Sequence, residues 1–437
     1  MKKRLICAAL IAAMVISTSA CGQMSSTEKM DTLFADPTNG STYKTADGDA
    51  GDDGGEAIPE AYTAMDRTAA DGEGLTVEPS VNTAPVGDAT IDDPTDKDLP
   101  EAGQLTAGQW SDNDNWGFFS NLVTSGTISF PSFGIDPTNR TMITVKGKDG
   151  SAVANAKVRL LDKDGGQLWS AVSDKNGVAY LFAQGDKEAA SVEVESGGKK
   201  QNFAVEGSSS GGEQNKNKAK ATEMEVTFDG SGKLYKSMDV MFIVDTTGSM
   251  SDEMLFLQSE FTAITKEIGA ADTRYSVNFY RDEGDDYVTK CSKFTSNVSD
   301  VQAMLNKESA DGGGDWPEAV AEALTDTMNA DDWKDESVKL AFLIYDAPPH
   351  DEKEAELLKA VETAAAKGIR LIPVVASDND RDTELFGRAI AIATGGTYVF
   401  LTDDSGIGNS HEEPIIGSYE VRPLYNIIID VINSYKQ

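Results

Sequence analysis

The chain has 437 residues, a quarter of them charged, with a formal net charge of −35 and a pI near 4.3. A length of this order accommodates two to four domains. So acidic a chain is repelled by nucleic acid and by anionic lipid headgroups, which sets a nucleic-acid role aside; the charge also keeps an exported protein soluble.

Lys2, Lys3 and Arg4 precede an apolar run, Leu5–Ile16, and the small residues Ser17–Ala20 lead to Cys21. That order is an export signal, and the run is too short for a stable transmembrane span. Small residues directly before a cysteine resemble the bacterial lipoprotein signal. The resemblance implies that residues 1–20 are removed and that Cys21 carries a lipid anchor. The chain would then be held at a membrane of the bacterial cell envelope, outside the cytoplasm. Thr18 stands where leucine is usual, which leaves plain secretion as the alternative. Of three cysteines, Cys7 leaves with the signal and Cys21 takes lipid, so Cys291 has no partner for an intramolecular disulfide. Cys291 lies in a strand-like run and reads as a small core residue rather than a nucleophile.

Residues 21–100 read as a tether. From Gly22 to Pro100 there are eighteen acids and four bases, with G-D-A-G-D-D-G-G-E at the centre. Such a composition buries too little apolar surface to offset its ordering entropy, and its charge extends it. The Asp-Gly spacing matches no calcium loop. Residues 101–140 bring in Trp110, Trp116, Phe118, Phe119, Phe130 and Phe133, with a D-N-D-N run (Asp112–Asn115) between the tryptophans. We read this as a linking segment, a turn beside an aromatic cluster packed on the following domain, in preference to a carbohydrate-stacking site.

Residues 141–206 are expected to be all-β. Short runs at Met142–Val145, Lys157–Leu161, Gln167–Ser170, Val178–Phe182, Ser191–Glu195 and Asn202–Val205 alternate with turn signals such as Asp149-Gly150, Asn176-Gly177 and Gly197-Gly198. Strands at that spacing suggest a β-sandwich. Val145, Asp149-Gly150, Val153, Ala156, Val158 and Leu160, followed by Ser173-Asp174 and Gly177-Val178-Ala179, resemble the carboxypeptidase regulatory-like (transthyretin-like) sandwich. The resemblance implies a spacer or docking module. Residues 207–222 (G-S-S-S-G-G-E-Q-N-K-N-K-A-K and on) read as a flexible linker, and the strand Glu223–Phe228 can belong to either neighbour.

From residue 223 to 437 strands and helices alternate. Met238–Val244, Arg274–Tyr280, Tyr287–Phe294, Val338–Tyr345, Ile369–Val375 and Thr397–Leu401 read as strands. Val301–Lys307, Pro317–Met328, Lys353–Lys367, Asp380–Thr394 and Leu424–Tyr435 read as helices. Alternation of this kind predicts a doubly wound α/β domain, a mostly parallel sheet with helices on both faces. The unbroken apolar run Val240–Val244 is a strand buried on both faces. It ends at Asp245, with Thr247 and Ser249 around Gly248, so oxygen-bearing side chains stand outside the carboxyl end of a strand, where open α/β sheets bind ligands. Carboxylates and hydroxyls suit a hard divalent cation.

Three motifs occur in order: D-T-T-G-S-M at 245–250, G-G-G-D-W-P-E-A at 312–319 and Y-D-A-P-P-H at 345–350. Together they resemble the von Willebrand factor A domain, in its bacterial and alpha-kinase-associated branch. The resemblance implies a six-stranded doubly wound fold with a metal-ion-dependent adhesion site. The ion would usually be Mg2+ (Mn2+ or Ca2+ in its place), completed by a partner's carboxylate. Carried over residue by residue, Asp245, Thr247 and Ser249 form the first loop and Asp346 the third. In the second loop Gly314 replaces the family's threonine, and Asp315 is expected to substitute for its hydroxyl, directly or through water. That added charge strengthens cation binding and weakens the pull on an incoming carboxylate. Asp282 and His350 are placed near the ion without touching it, or in ordinary turn and surface roles; His411 is unassigned.

The expected function is non-enzymatic: an anchored surface protein that binds a protein or matrix ligand through the cation. An envelope assembly or stress factor recognising another membrane protein is the alternative. A metal-dependent hydrolase is the third reading, disfavoured because there are two histidines in the chain and no G-x-S-x-G elbow. T-T-G-S lacks the spacing and lysine of a nucleotide-phosphate loop.

Overall fold

The structure is a computed structural model that describes residues 105–205, 219–268, 272–314, 316–405 and 410–437. The signal segment, Cys21, the acidic tether, most of the 207–222 linker and Asp315 lie outside them. All the described residues belong to one compact unit, Asp88–Gln437. Among them no helix is long and apolar enough to cross a membrane.

The chain enters as a strand, β1 (Thr106–Trp110), and a helix, α1 (Trp116–Ser125). Seven strands follow: β2 (Asn139–Gly147), β3 (Lys157–Leu161), β4 (Gln167–Val172), β5 (Val178–Phe182), β6 (Ser191–Ser196), β7 (Lys199–Ala204) and β8 (Lys220–Phe228). They form two sheets, ordered β5-β2-β8 and β4-β3-β6-β7. Inward alternation explains their shared core: Ile143 and Val145 from one sheet are wholly buried with Val158, Leu160, Val192 and Val194 from the other. Turn glycines are where the dipeptides placed them. Gly177 has φ 80°, and a Cβ there would meet the Val145 carbonyl oxygen at 2.4 Å, so only glycine fits.

The remaining elements are β9 (Ser237–Asp245), α2 (Ser251–Ile268), β10 (Thr273–Tyr280), β11 (Thr289–Lys290), α3 (Val298–Leu305), α4 (Val320–Asn329), β12 (Ser337–Tyr345), α5 (Glu354–Lys367), β13 (Ile369–Val375), α6 (Arg381–Thr394), β14 (Tyr398–Thr402), β15 (Arg422–Pro423) and α7 (Leu424–Tyr435). The sheet order is β11-β10-β9-β12-β13-β14-β1-β15. Its centre, β10 to β14, is parallel, and β11, β1 and β15 pair antiparallel at the margins. β9 lies between β10 and β12 and presents alternate residues to two cores: Val240, Phe242 and Val244 to one, Met241 and Ile243 to the other. The second of these is continuous with the core of the two small sheets.

Three sequence expectations change here. The sheet has eight strands and mixed direction, where six were implied. Segment 101–140 is more than a link, because β1 zips onto β14 along its full length and α1 packs beneath. The first half of its D-N-D-N run, Asp112 and Asn113, is a buried anchor. Asp112 takes two 2.8 Å bonds from the Arg388 guanidinium, and Asn113 donates to the Ile392 carbonyl and accepts from Arg140. The strand at 220–228 pairs in parallel with β2 and so belongs to the small sheets, not to the α/β layer.

The expected strand Tyr287–Phe294 contracts to two residues because it borders the sheet and pairs only with Phe279 and Tyr280. Cys291 is therefore exposed, correcting its reading as a core residue.

Candidate functional site

Asp245 is the last residue of β9 and Asp346 directly follows β12. These are neighbouring parallel strands in which Val244 pairs with Ile344, so the two carboxylates leave adjacent strand ends one residue apart in register. The apolar strands drive this placement, since a run buried on both faces has only its ends to offer polar groups. Asp245 and Asp346 are almost wholly buried.

The first loop is pre-formed around Asp245. Its Oδ1 accepts from the Thr247 backbone N–H (2.9 Å) and from the Thr247 hydroxyl (2.7 Å). Its Oδ2 is buried and has no hydrogen-bond partner, and neither carboxylate oxygen of Asp346 has one. Ser249 is exposed beside Asp346, and its hydroxyl draws that pKa down without forming a hydrogen bond of good geometry. Burial raises both carboxyl pKa values above the carboxylate range, Asp245 to about 6 and Asp346 to about 7; Asp282 raises Asp245 further, and Asp245 raises Asp346 further. Three buried carboxylate oxygens without donors are costly unless a cation meets them.

The second loop is tied to the first. Asp311 N–H donates to the Thr246 carbonyl, and Gly248 N–H to the Gly312 carbonyl. Gly313 N–H donates to Asp285 Oδ2 (2.9 Å). Gly313 has φ 73°, and a Cβ there would lie 3.1 Å from Glu318 Oε1 and 3.2 Å from Thr247 Cβ. The glycines thus let the loop pass between Thr247 and Glu318. Asp315 continues this loop and lies outside the described residues.

Glu318 has no assignment from sequence, although it stands in the G-G-G-D-W-P-E-A motif. It is buried, its Oε2 has no partner, and its N–H donates to the Pro348 carbonyl of the third loop. Burial, then Asp245, Asp282 and Asp346 in turn, push its carboxyl up to about 9. Asp282 is also buried, and the His350 ring Nε2 lies 2.8 Å from its Oδ1. The two therefore join the loop after β10 to the loop after β12 beside the site. Glu253, in the first turn of α2, accepts from the Ser377 N–H (3.2 Å) and hydroxyl (2.8 Å) through Oε1 and leaves Oε2 buried and unpartnered. Glu253 and Tyr280 are further polar groups around the two aspartates. Their signal in sequence is only that each lies within a few residues of a site loop.

The fit to a hard cation rests on those orphaned oxygens and on hydroxyls at Thr247 and Ser249. No three His, Cys, Asp or Glu side chains among the described residues form a metal cluster by themselves. Here the donors are two carboxylates with hydroxyls, and a third carboxylate, Asp315, is outside the description. Asp245, Thr247, Ser249 and Asp346 are brought together by adjacent strand ends; Asp282 and His350 pair with one another at the side; His411 is elsewhere, bonded to Asp403 beyond β14.

Residues 239–406 match the family profile described as von Willebrand factor A domain. A putative ariadne-like RING finger protein, R811, of Acanthamoeba polyphaga mimivirus is 27% identical over 184 residues, 38% of this chain. The match spans 18% of that protein's length. Among solved structures, the conserved hypothetical protein BatB of Bacteroides thetaiotaomicron shares 14% identity at a TM-score of 0.34, over 46% of this chain and 98% of its own. A von Willebrand factor type A protein of Catenulispora acidiphila shares 15% at 0.29, over 36% of this chain and 37% of its own. The doubly wound sheet, the three loops at its carboxyl edge and the matched span together identify residues 239–406 as a von Willebrand factor A domain.

Proposed function

We propose that this protein binds a protein partner, without catalysing a reaction, through a divalent cation. Mg2+ is the expected ion, with Mn2+ or Ca2+ as substitutes. Asp245, Thr247, Ser249 and Asp346 hold it, with Asp315 completing the second loop. The observation that carries this reading is the set of buried carboxylate oxygens on Asp245 and Asp346 that no donor satisfies. A dication satisfies them and offsets the burial and repulsion that lift both pKa values. A von Willebrand factor A domain usually mediates protein interactions, which supports the choice of partner. Both histidines of the chain lie against aspartates, His350 on Asp282 and His411 on Asp403. This favours binding over hydrolysis.

Asp282 and Asp285 add negative charge beside the aspartates, and the same charges push the Glu318 carboxyl up. The shell holds the cation more firmly and leaves less net pull for an incoming carboxylate. In the same reading Cys21 anchors the chain by lipid in the bacterial envelope, residues 21–100 act as the tether, and the two small sheets form a sandwich that serves as spacer or docking module.

The test is thermal unfolding of the chain lacking residues 1–21. Mg2+ or Mn2+ is expected to raise the Tm, and Asp245→Ala to abolish the rise. No shift with any divalent ion refutes the cation. Capture from envelope extract with and without chelator then reports on the partner, and capture insensitive to chelator refutes a metal-bridged interface.

A further inference from the structure

Tyr280 is the last residue of β10, and in the parallel register of β9 and β10 it stands directly beside Asp245. Paired residues of neighbouring strands project from the same face of the sheet, so the phenol and the carboxylate lie side by side. The backbone ties the two together. Thr246, next to Asp245, donates its N–H and its hydroxyl to the Tyr280 carbonyl, each at 2.9 Å. The first loop of the cation site is thereby fixed to the end of β10.

Tyr280 is wholly buried, and its hydroxyl makes no hydrogen bond of good geometry. A buried phenol ordinarily finds a partner. The oxygen beside it that lacks a donor is Asp245 Oδ2. The hydroxyl already draws the Asp245 carboxyl down, against the effect of burial, so it stands within reach of that carboxylate. Donor and acceptor are both buried and both unused, on adjacent strands in register.

A count of lone pairs gives this pairing a consequence. A carboxylate accepts about four bonds, shared equally between its oxygens. Asp245 Oδ1 already takes two, from the Thr247 N–H and the Thr247 hydroxyl. A bond from Tyr280 fills half of what Oδ2 can accept. The remaining place serves a cation, or a water on it, so Asp245 cannot clasp an ion with both oxygens. Mg2+ demands near-octahedral geometry and suits such single-point ligands, whereas Ca2+ takes roughly six to eight oxygens and gains from bidentate carboxylates. We propose that Tyr280 is a positioning and ion-selecting residue: its hydroxyl donates to Asp245 Oδ2, holds the carboxylate in one orientation and so favours a small octahedral ion, Mg2+ or Mn2+, over Ca2+. The inference rests on the cation reading of the site and names the side chain that sets the choice of ion.

Tyr280→Phe removes the hydroxyl and keeps the ring in the core. The chain lacking residues 1–21 serves for both measurements. In chelator, urea unfolding of the parent, Tyr280→Phe, Asp245→Ala and the double variant reads the pairing with no cation present. The unfolding constant of the double variant is expected to depart from the product of the single effects by about fivefold or more. Independent effects overturn the proposal. Mn2+ binding is then read from the electron paramagnetic resonance signal of the free ion, with Mg2+ and Ca2+ as competitors. Tyr280→Phe is expected to weaken Mn2+ binding by about tenfold or more, and to lose most of the parent's preference for Mg2+ over Ca2+. A variant that binds Mn2+ as the parent does overturns the proposal. So does one that loses affinity for all three ions by the same factor, which is what a merely structural role would give. A parent that binds no Mn2+ refutes the cation reading and the ion-selecting role with it, and the unfolding cycle separates that outcome from a Tyr280 that never meets Asp245.

Discussion

Asp346→Asn separates the two roles of a buried carboxylate by sign. In the cation-free protein Asp346 is a charge buried beside Asp245 with neither oxygen bonded. The amide has the same shape, carries no charge and offers an N–H₂ to the orphaned Oδ2 of Asp245. Relieving an unsatisfied buried charged group is worth about 1–3 kcal/mol. For a domain of this size each kcal/mol moves the Tm by about 2–4 °C. In chelator at pH 8, Asp346→Asn is therefore expected to melt about 2–12 °C higher than the parent. In Mg2+ the order narrows or reverses. A cation at a hundred times its Kd stabilises the parent by about 2.7 kcal/mol, and the variant gains little. Scanning fluorimetry at several Mg2+ concentrations measures both arms. A variant that is less stable in chelator, or one that keeps the full Mg2+ increment, refutes the reasoning.

The pH dependence has a defined sign. Asp245, Asp346 and Glu318 have folded pKa values raised above the ordinary 3.8 and 4.5, Glu318 to about 9. Between those limits the folded state binds more protons than the unfolded one, so stability in chelator falls as pH rises from about 4 towards 9. In saturating Mg2+ the slope flattens or reverses, because binding requires the carboxylates ionised. Urea midpoints at pH 5, 7 and 9 read this, and a chelated protein that gains stability across the range contradicts it. Asp112→Ala leaves Nε and Nη2 of the fully buried Arg388 guanidinium without their acceptor while Nη1 stays on Glu384, and is expected to cost about 1–3 kcal/mol in urea unfolding. Asp112→Ala with Arg388→Met recovers much of that, and equal losses in the two variants argue against a charge effect. Gly396→Ala places a Cβ 1.8 Å from the Leu371 carbonyl oxygen. It should lower stability by about 3 kcal/mol or more through forced separation of the chain from β13, and an unchanged Tm counts against that close approach.

Several elements were legible from local pattern because their determinants are local. β9 and β12 announce themselves as unbroken apolar runs, and β3, β5, β13 and α7 fall at the bounds their patterns predict. Helix ends follow the same rule: Gly368 and Gly395 take the left-handed conformation that stops α5 and α6. β1 was not legible. T-A-G-Q-W has one strong apolar residue, and it becomes a strand because β14 and β15 present open edges on either side. Phe400 packs closely over Gly108, leaving no room for a Cβ. β11 fails in the opposite sense: its pattern continues, but it has a partner for only two residues.

For the site, the sequence by itself determined the chemistry: Asp245, Thr247, Ser249 and Asp346 are oxygen donors, each placed by the end of an apolar strand. It also determined the alternation that makes a parallel sheet, and with it the edge where those strand ends meet. Only the tertiary structure decided which strands are neighbours. That ordering sets β9 against β12, buries two carboxylates together and adds Glu318 and Asp282 to them. It likewise seats Asp112 on Arg388, 276 residues away. The physical reason is one of range. Hydrophobic period and turn chemistry act over a few residues, whereas burial, mutual repulsion and the absence of a hydrogen-bond donor arise when distant segments share one dry space.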